Sequence, residues 1–322
     1  MRSAVVVNPS KVDDMDGRRA EICAALADAG WPDPLWLPTT PEDPGRGQTR
    51  QAITEGVDVV FACGGDGTVL ACASELAGTP TALAVLPSGT GNLLAVNLEL
   101  PEGVADAVAV ATRGARRRID VGACEKYCFT VMAGMGFDAA MLETASDGLK
   151  SRLGWPAYLL AGLRHLRGRP MRLRIRLDGG PVLRRRARTV LVANVGRLQG
   201  GINLLPQARP DDGLFEVTIL SPRYLQDWLA LAAAVLRHRS AVPRMETYRA
   251  ARVAILSDRP QPREVDGDVI DPAPHLSATV RPAALTVCVP ASPDPTGRPE
   301  QRRAAIRETD HDAVTGSVQP PS

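Results

Sequence analysis

Between Ala4 and Thr112 the chain repeats one unit: a short β-branched apolar run, a loop of small or polar residues, then an amphipathic stretch of helical period. Ala4–Asn8 reads as a buried strand stopped by Asn8-Pro9. Arg18–Ala29 follows as a helix with Ile22 and Leu26 on one face and Gly30 past its end. Leu35–Leu37, Asp58–Cys63 and Ala82–Leu86 are further strands, and Thr49–Glu55, Thr68–Leu76 and Val104–Thr112 further helices. Strands separated by helices and short loops can pair only in parallel, with helices covering both faces of the sheet.

From about Arg118 the rhythm changes. Ile119–Val121, Tyr127–Met132, Met171–Leu177, Arg188–Ala193, Phe215–Leu220, Arg252–Leu256, His275–Val280 and Leu285–Val289 are strand-like, with few helices between them. Arg172 to Leu177 alternates strictly, as a strand with one wet face must. Helical inserts are expected at Trp155–Arg167 and Leu225–Arg237. The 322 residues therefore divide into an α/β domain with a doubly wound parallel sheet over 1–118 and an antiparallel β-sandwich over 119–290. The last strand of the sandwich is free to return to the first domain. Residues 291–322, rich in Pro, Ser, Thr and charge, read as a disordered tail.

No apolar run approaches the roughly 20 residues of a membrane-spanning helix. The start, Met1 to Pro9, is too short in apolar residues for a secretory signal. Cys23, Cys63, Cys72 and Cys288 sit in apolar segments, and Cys124 and Cys128 lack a nearby partner pair or His for zinc. A cytoplasmic protein is expected. A net charge of only +2 excludes a surface built wholly to trap polyanions. Charge is nonetheless concentrated: ten arginines fall between Arg164 and Arg188, against Asp178 alone. That stretch reads either as a solvated β-surface or as a patch resting on anionic lipid headgroups. Single-stranded nucleic acid fits less well, because no aromatic residue lies within Arg172–Arg188 for base stacking.

Two glycine loops carry the chemistry. Gly64-Gly65-Asp66-Gly67-Thr68 stands between the strand ending at Cys63 and the helix beginning at Thr68. Glycines let backbone approach phosphate oxygens, and a helix start offers free N–H groups. Asp66 would repel a phosphate unless a cation intervened, which points to Mg²⁺. Pro87-Ser88-Gly89-Thr90-Gly91-Asn92 follows the next strand and opens a helix over Asn92–Leu98. Successive loops of this kind flank one crevice at the carboxyl ends of the strands. Neither is a GxxxxGK[ST] loop or a GxGxxG turn, so phosphate would be held by backbone, hydroxyls and metal. Further carboxylates follow Gly134-Met135-Gly136 (a third glycine loop, ending in Phe137-Asp138), and occur at Asp211-Asp212 and Asp266-Gly267-Asp268. Each alone reads as a turn; together with Asp66 they could supply a metal and a general base for phosphoryl transfer.

In this order, Asn8-Pro9, GGDGT at 64–68, GTGN at 89–92, GMGFDA at 134–139, Asn194…Pro206…Asp212-Gly213-Leu214 and Asp266-Gly267-Asp268 resemble the diacylglycerol kinase family. These are soluble bacterial lipid kinases related to sphingosine and ceramide kinases. The resemblance implies transfer of the γ-phosphoryl group of ATP, with Mg²⁺, to the primary hydroxyl of a lipid, diacylglycerol first. An NAD kinase-like enzyme and a non-catalytic nucleotide-binding regulator are the alternatives. By motif it implies ATP at Asn8, Thr40 (or its neighbour Thr39), Gly64, Gly65, Asp66, Gly67, Thr68, Val69, Leu70, Thr90 and Asn92. A cation is implied at Asp212, with backbone oxygens of Arg209 and Leu214. Asp268 takes the place of the family's glutamate base and is one methylene shorter, with Asp66 the other candidate for the base. A lipid at the inner face of the membrane, reached peripherally, is the implied partner, nucleic acid is not, and a homodimer stays open. The apolar stretches Trp155–Leu163 and Trp228–Leu236 read as packing helices or as walls of a lipid cleft.

Overall fold

The computed structural model describes residues 1–89, 91–136, 169–197, 203–222, 227 and 244–291. Strands β1 (Ser3–Val7), β2 (Leu35–Pro38), β3 (Val59–Gly64) and β4 (Ala82–Pro87) pair in parallel in the order β2-β1-β3-β4. Between them run α1 (Met15–Asp28), α2 (Arg46–Thr54) and α3 (Asp66–Leu76), and after β4 come α4 (Leu93–Asn97) and α5 (Val104–Arg113).

Alternate side chains of these strands go to opposite faces. Val5, Phe61, Ala84 and Leu86 meet Ile22 and Leu26 of α1 and Val108 of α5. Val6, Val60, Leu83 and Val85 meet Ala52 of α2 and Cys72 and Leu76 of α3. Both faces being covered explains why these strands are continuous apolar runs. Each fully buried Val, Leu or Phe contributes about 1.5–3 kcal/mol. Asp14 starts α1 by accepting the Gly17 N–H at 2.9 Å, and Gly30 ends its run at a φ of 72°.

The remaining strands are β5 (Ala115–Cys124), β6 (Tyr127–Phe129), β7 (Met132–Gly136), β8 (Met171–Leu177), β9 (Leu183–Ala187), β10 (Thr189–Ala193), β11 (Phe215–Leu220), β12 (Met245–Ala250), β13 (Arg252–Val265) and β14 (Asp268–Val289). Their pairings with one another are antiparallel. Inward residues of β7, β8, β10, β11, β13 and β14 close on one core, with Phe129 stacked on Phe215 at 5.2 Å between ring centroids. This is the packing of a β-sandwich beside the α/β layer.

β14 ties the two together. Its first residues form a hairpin with β13; its last pair antiparallel with β5 and, at Val287↔Leu83, parallel with β4. Among the described residues all fourteen strands thus belong to one hydrogen-bonded sheet.

Several sequence expectations change. Gly134 to Gly136 is not a loop but the buried strand β7. Glycine is needed at 136 because a Cβ there would stand 2.3 Å from the carbonyl oxygen of Arg188, the residue between β9 and β10. The run Tyr127–Met132 is broken into β6 and β7 at Thr130-Val131, and the segments 275–280 and 285–289 are one strand bent at Ala283. The helix expected from Asn92 begins at Leu93, since Asn92 itself adopts a left-handed φ of 46°. Strands β9 and β12 were not expected. The apolar stretches Trp155–Leu163 and Trp228–Leu236, with Thr90 and Asp138, lie outside the described residues.

Candidate active site

In the order β2-β1-β3-β4 the chain winds away in opposite senses from β1 and β3, which opens a crevice at their carboxyl ends. Asn8 ends β1 and Gly64-Gly65 ends β3. The Asn8 side chain caps the turn Pro9–Lys11 by accepting the Ser10 N–H at 3.0 Å, and its Nδ2 faces the Thr68 hydroxyl at 3.5 Å. Thr68 is buried, packed so closely on Gly64 that a Cβ at residue 64 would lie 2.6 Å from its Oγ1. Val69 is the first residue of α3 to bond back along the helix, to Gly65 at 3.1 Å. The amides of Asp66, Gly67 and Thr68 precede it and have no intrahelical acceptor, which makes this end of α3 receptive to an anion. Val69 and Leu70 send their side chains into buried positions. Thr40 is exposed just past β2, its hydroxyl accepting the Asp43 N–H at 3.2 Å, while Thr39 is buried.

The second loop lies against the first. A Cβ at Gly89 would stand 2.6 Å from the Cα of Gly65, so only glycine allows the two backbones this approach. Asp66 holds the loops together. One of its carboxylate oxygens accepts the Asn92 N–H at 2.9 Å and the other the Leu93 N–H at 2.6 Å. The first partners of this carboxylate are therefore the amides opening α4. Burial raises its pKa, against the lowering effect of those two bonds. Asn92 returns its side chain to Gly89, donating from Nδ2 to the carbonyl at 2.6 Å.

Asp268 begins β14, directly after a hairpin turn in which Asp266 and Gly267 both have positive φ, 47° and 90°. Solvent reaches Asp268, yet its pKa is raised, first by desolvation and then by the charge of Asp66. The sandwich hairpin and the GGDGT loop are thus electrostatic neighbours. Asp266 fixes the hairpin. Fully buried, it accepts the N–H groups of Thr130, Val131 and Met132 at 2.7–2.9 Å and the Thr130 hydroxyl at 3.0 Å. Desolvation outweighs these donors and pushes its pKa up to about 6.

Arg209, Asp212 and Leu214 lie on the loop before β11. Asp212 is ion-paired with Arg249 and accepts the Leu214 N–H at 3.1 Å; Glu216 flanks the same guanidinium at 3.1 Å. Buried Asp120 pins this loop, one carboxylate oxygen accepting the Gly213 N–H and the other the Ala283 N–H, each at 2.7 Å. Asn194 donates from Nδ2 to Asp120 and Thr130 carbonyls, and its Oδ1 is buried with no hydrogen-bond partner among the described residues. Among the described residues no three His, Cys, Asp or Glu side chains are placed to share a metal ion. A cation here would draw on one carboxylate, carbonyls and phosphate oxygens, the all-oxygen set Mg²⁺ accepts, in competition with Arg249. The charge of Asp66 reaches Asp268; Asp212 lies on a separate loop. Asp120 and Asp266 were missed as anchors, although an acid between β-branched residues, Ile119-Asp120-Val121, is a signal of a buried carboxylate.

A parallel α/β sheet with a backbone cradle at its strand ends, continued into a β-sandwich, is the fold class of the diacylglycerol and NAD kinases. A diacylglycerol kinase structure from Bacillus anthracis superposes with a TM-score of 0.69 at 21% identity, covering 89% of this chain and 96% of that one. The chain belongs to the diacylglycerol kinase family of lipid kinases: residues 2–124 match the diacylglycerol kinase catalytic domain and 131–289 the YegS C-terminal NAD kinase beta sandwich-like domain. A Stenotrophomonas maltophilia relative, "Probable lipid kinase YegS-like", is 32% identical over 68% of this chain and 75% of its own length. The "Diacylglycerol kinase" of Bacillus subtilis is 28% identical over 73% and 79%. Of a Synechocystis relative, 28% identical, the chain spans 57%. Membership of this family implies use of a nucleotide such as ATP. No helix among the described residues is long and apolar enough to cross a membrane.

Proposed function

We propose that the protein transfers the γ-phosphoryl group of ATP to the primary hydroxyl of a lipid, with diacylglycerol as acceptor and phosphatidic acid as product. The observation that carries this reading is the backbone cradle at the start of α3, which Asp66 and the Gly89–Gly65 approach hold against the second glycine loop. The charge of Asp66 also reaches Asp268 on the sandwich hairpin. The free amides at the start of α3 hold triphosphate oxygens. Asp268 accepts the proton of the lipid hydroxyl, the oxygen forms its bond to the γ-phosphorus, and the bond from that phosphorus to the β–γ bridging oxygen breaks, releasing ADP. A raised pKa suits a base that must take a proton from an alcohol. Asp66 is the weaker candidate for the base, because both its oxygens already accept backbone N–H groups. Its part is to keep the loops in register. Mg²⁺, held by Asp212 and the carbonyls of Arg209 and Leu214, would neutralise phosphate charge when bound.

Radiolabelled ATP offered with diacylglycerol, sphingoid, ceramide and phosphatidylglycerol micelles tests the acceptor. Label is expected in phosphatidic acid. Label in another lipid would replace diacylglycerol as acceptor, and label in none would overturn the kinase reading.

A further inference from the structure

A depression of about 730 Å³ has none of the glycine-loop residues in its lining. It is an open hollow on the outer face of β9, β8 and β13, and its lining is dominated by arginine. Register explains why. Arg172 stands opposite Arg186 and Arg174 opposite Arg184 on the paired strands, while Leu256 stands opposite Arg174 on the other side. Their side chains share one exposed face, because the intervening Leu173, Ile175 and Ile255 are buried in the sandwich core. Like charges directly opposite one another destabilise a strand pair. A sheet that only needed a wet face would alternate the signs.

Within the described residues no carboxylate lies within ion-pair distance of Arg174, Arg184 or Arg186. The one acid at the rim, Asp258, is taken by Arg259 at 3.3 Å and by the Arg172 N–H at 3.1 Å. Arg185, on the same strand as Arg184, shows the contrast: it is bound to Glu246 at 2.8 Å and to the Tyr248 hydroxyl at 2.9 Å. Apolar groups lie beside the unneutralised charges, Leu256 being 45% exposed and Val182, just before β9, 41%.

We infer that the β9-β8-β13 face docks on an anionic phospholipid bilayer. Charge complementarity selects the partner: cations arrayed in two dimensions across three strands fit a plane of headgroup phosphates, and exposed Leu256 and Val182 can rest among the acyl-glycerol groups. A nucleic-acid strand would instead want a groove with aromatic platforms, and no aromatic residue lies between Met171 and Arg188. The inference rests on charge and exposure, and only its cellular use depends on the kinase reading.

The test is cosedimentation of the full chain with vesicles of phosphatidylcholine alone and of equimolar phosphatidylcholine and phosphatidylglycerol. Binding is expected only to the anionic vesicles. It should vanish as salt rises from about 0.1 M to about 1 M, where screening shortens from about 10 Å to about 3 Å. The double variant Arg174→Ser/Arg184→Ser should bind them about 25-fold more weakly, roughly fivefold per arginine. Its turnover of a short-chain, water-soluble diacylglycerol should be unchanged. Equal sedimentation of the variant and the natural chain would overturn the inference, as would a single-stranded oligonucleotide bound as tightly as the anionic vesicles. Salt-sensitive vesicle binding without turnover on any lipid would sustain this face while removing the kinase reading.

Discussion

The glycine-loop crevice and the arginine face treat charge in opposite ways. Around the crevice two acids have partners drawn from backbone: Asp66 takes two amides at the start of α4, and Asp266 takes three amides and a hydroxyl from the β6–β7 turn. On the outer sheet, Arg174, Arg184 and Arg186 have like-charged neighbours across the strands. Donors preorganised around a carboxylate fix geometry, which a reaction needs. Cations left facing water cost stability and supply long-range attraction, which a surface contact needs. The two regions share β13, whose one end pairs with the arginine strands and whose other end carries the hairpin of Asp268.

The comparison is broken most severely at the acid with fewest partners. Asp268→Ala should lower turnover by about 10²–10⁴-fold while leaving ATP affinity within a small factor, measured by steady-state kinetics beside equilibrium nucleotide binding. Loss of both together would mean that Asp268 holds structure rather than a proton. Asp266→Ala strands three buried amides and should lower unfolding free energy by about 3 kcal/mol or more in denaturant titration. No change would show the hairpin to be fixed by other contacts.

Asp266 also has a pH signature. Its folded pKa, pushed up to about 6 from an ordinary 3.8, means the native state binds the extra proton in that window. Its contribution to stability therefore grows as pH falls from about 6 to about 4 and is lost as pH rises again. Asp266→Asn should abolish that portion of the pH dependence. Gly89→Ala, which places a methyl against the Gly65 backbone, should cost about 1–3 kcal/mol and weaken ATP binding. An unchanged nucleotide affinity would separate the loop contact from the cradle.

Much of this was legible in the chain itself. Met171–Leu177 and Phe215–Leu220 are strands at the bounds their alternation and β-branching predict, and both glycine loops stand at strand ends. Leu183–Ala187 and Met245–Ala250 were hidden because arginine, glutamate and threonine fill them, leaving no apolar period to read. Gly134–Gly136 misled because glycine marks turns, whereas here Gly136 admits the close approach of the Arg188 carbonyl just before β10. The burial of Asp120 left a local signal, but the partners of Asp120 and Asp266 could not be read, since their donors arrive from about 90 to 160 and about 135 residues away in sequence. A local pattern carries no trace of such partners. The shared electrostatics of Asp66 and Asp268 have the same origin: two loops legible one by one, joined only by the hairpin of β13 and β14.

That junction is open to one direct measurement, the pH dependence of kcat/KM for the natural chain and for Asp66→Asn. Asp268 is held above the usual carboxylate range partly by the charge of Asp66. With that charge removed, the acidic limb of the profile should move to lower pH. An acidic limb that stays where it was would mean that residues 66 and 268 do not face one another across a common site.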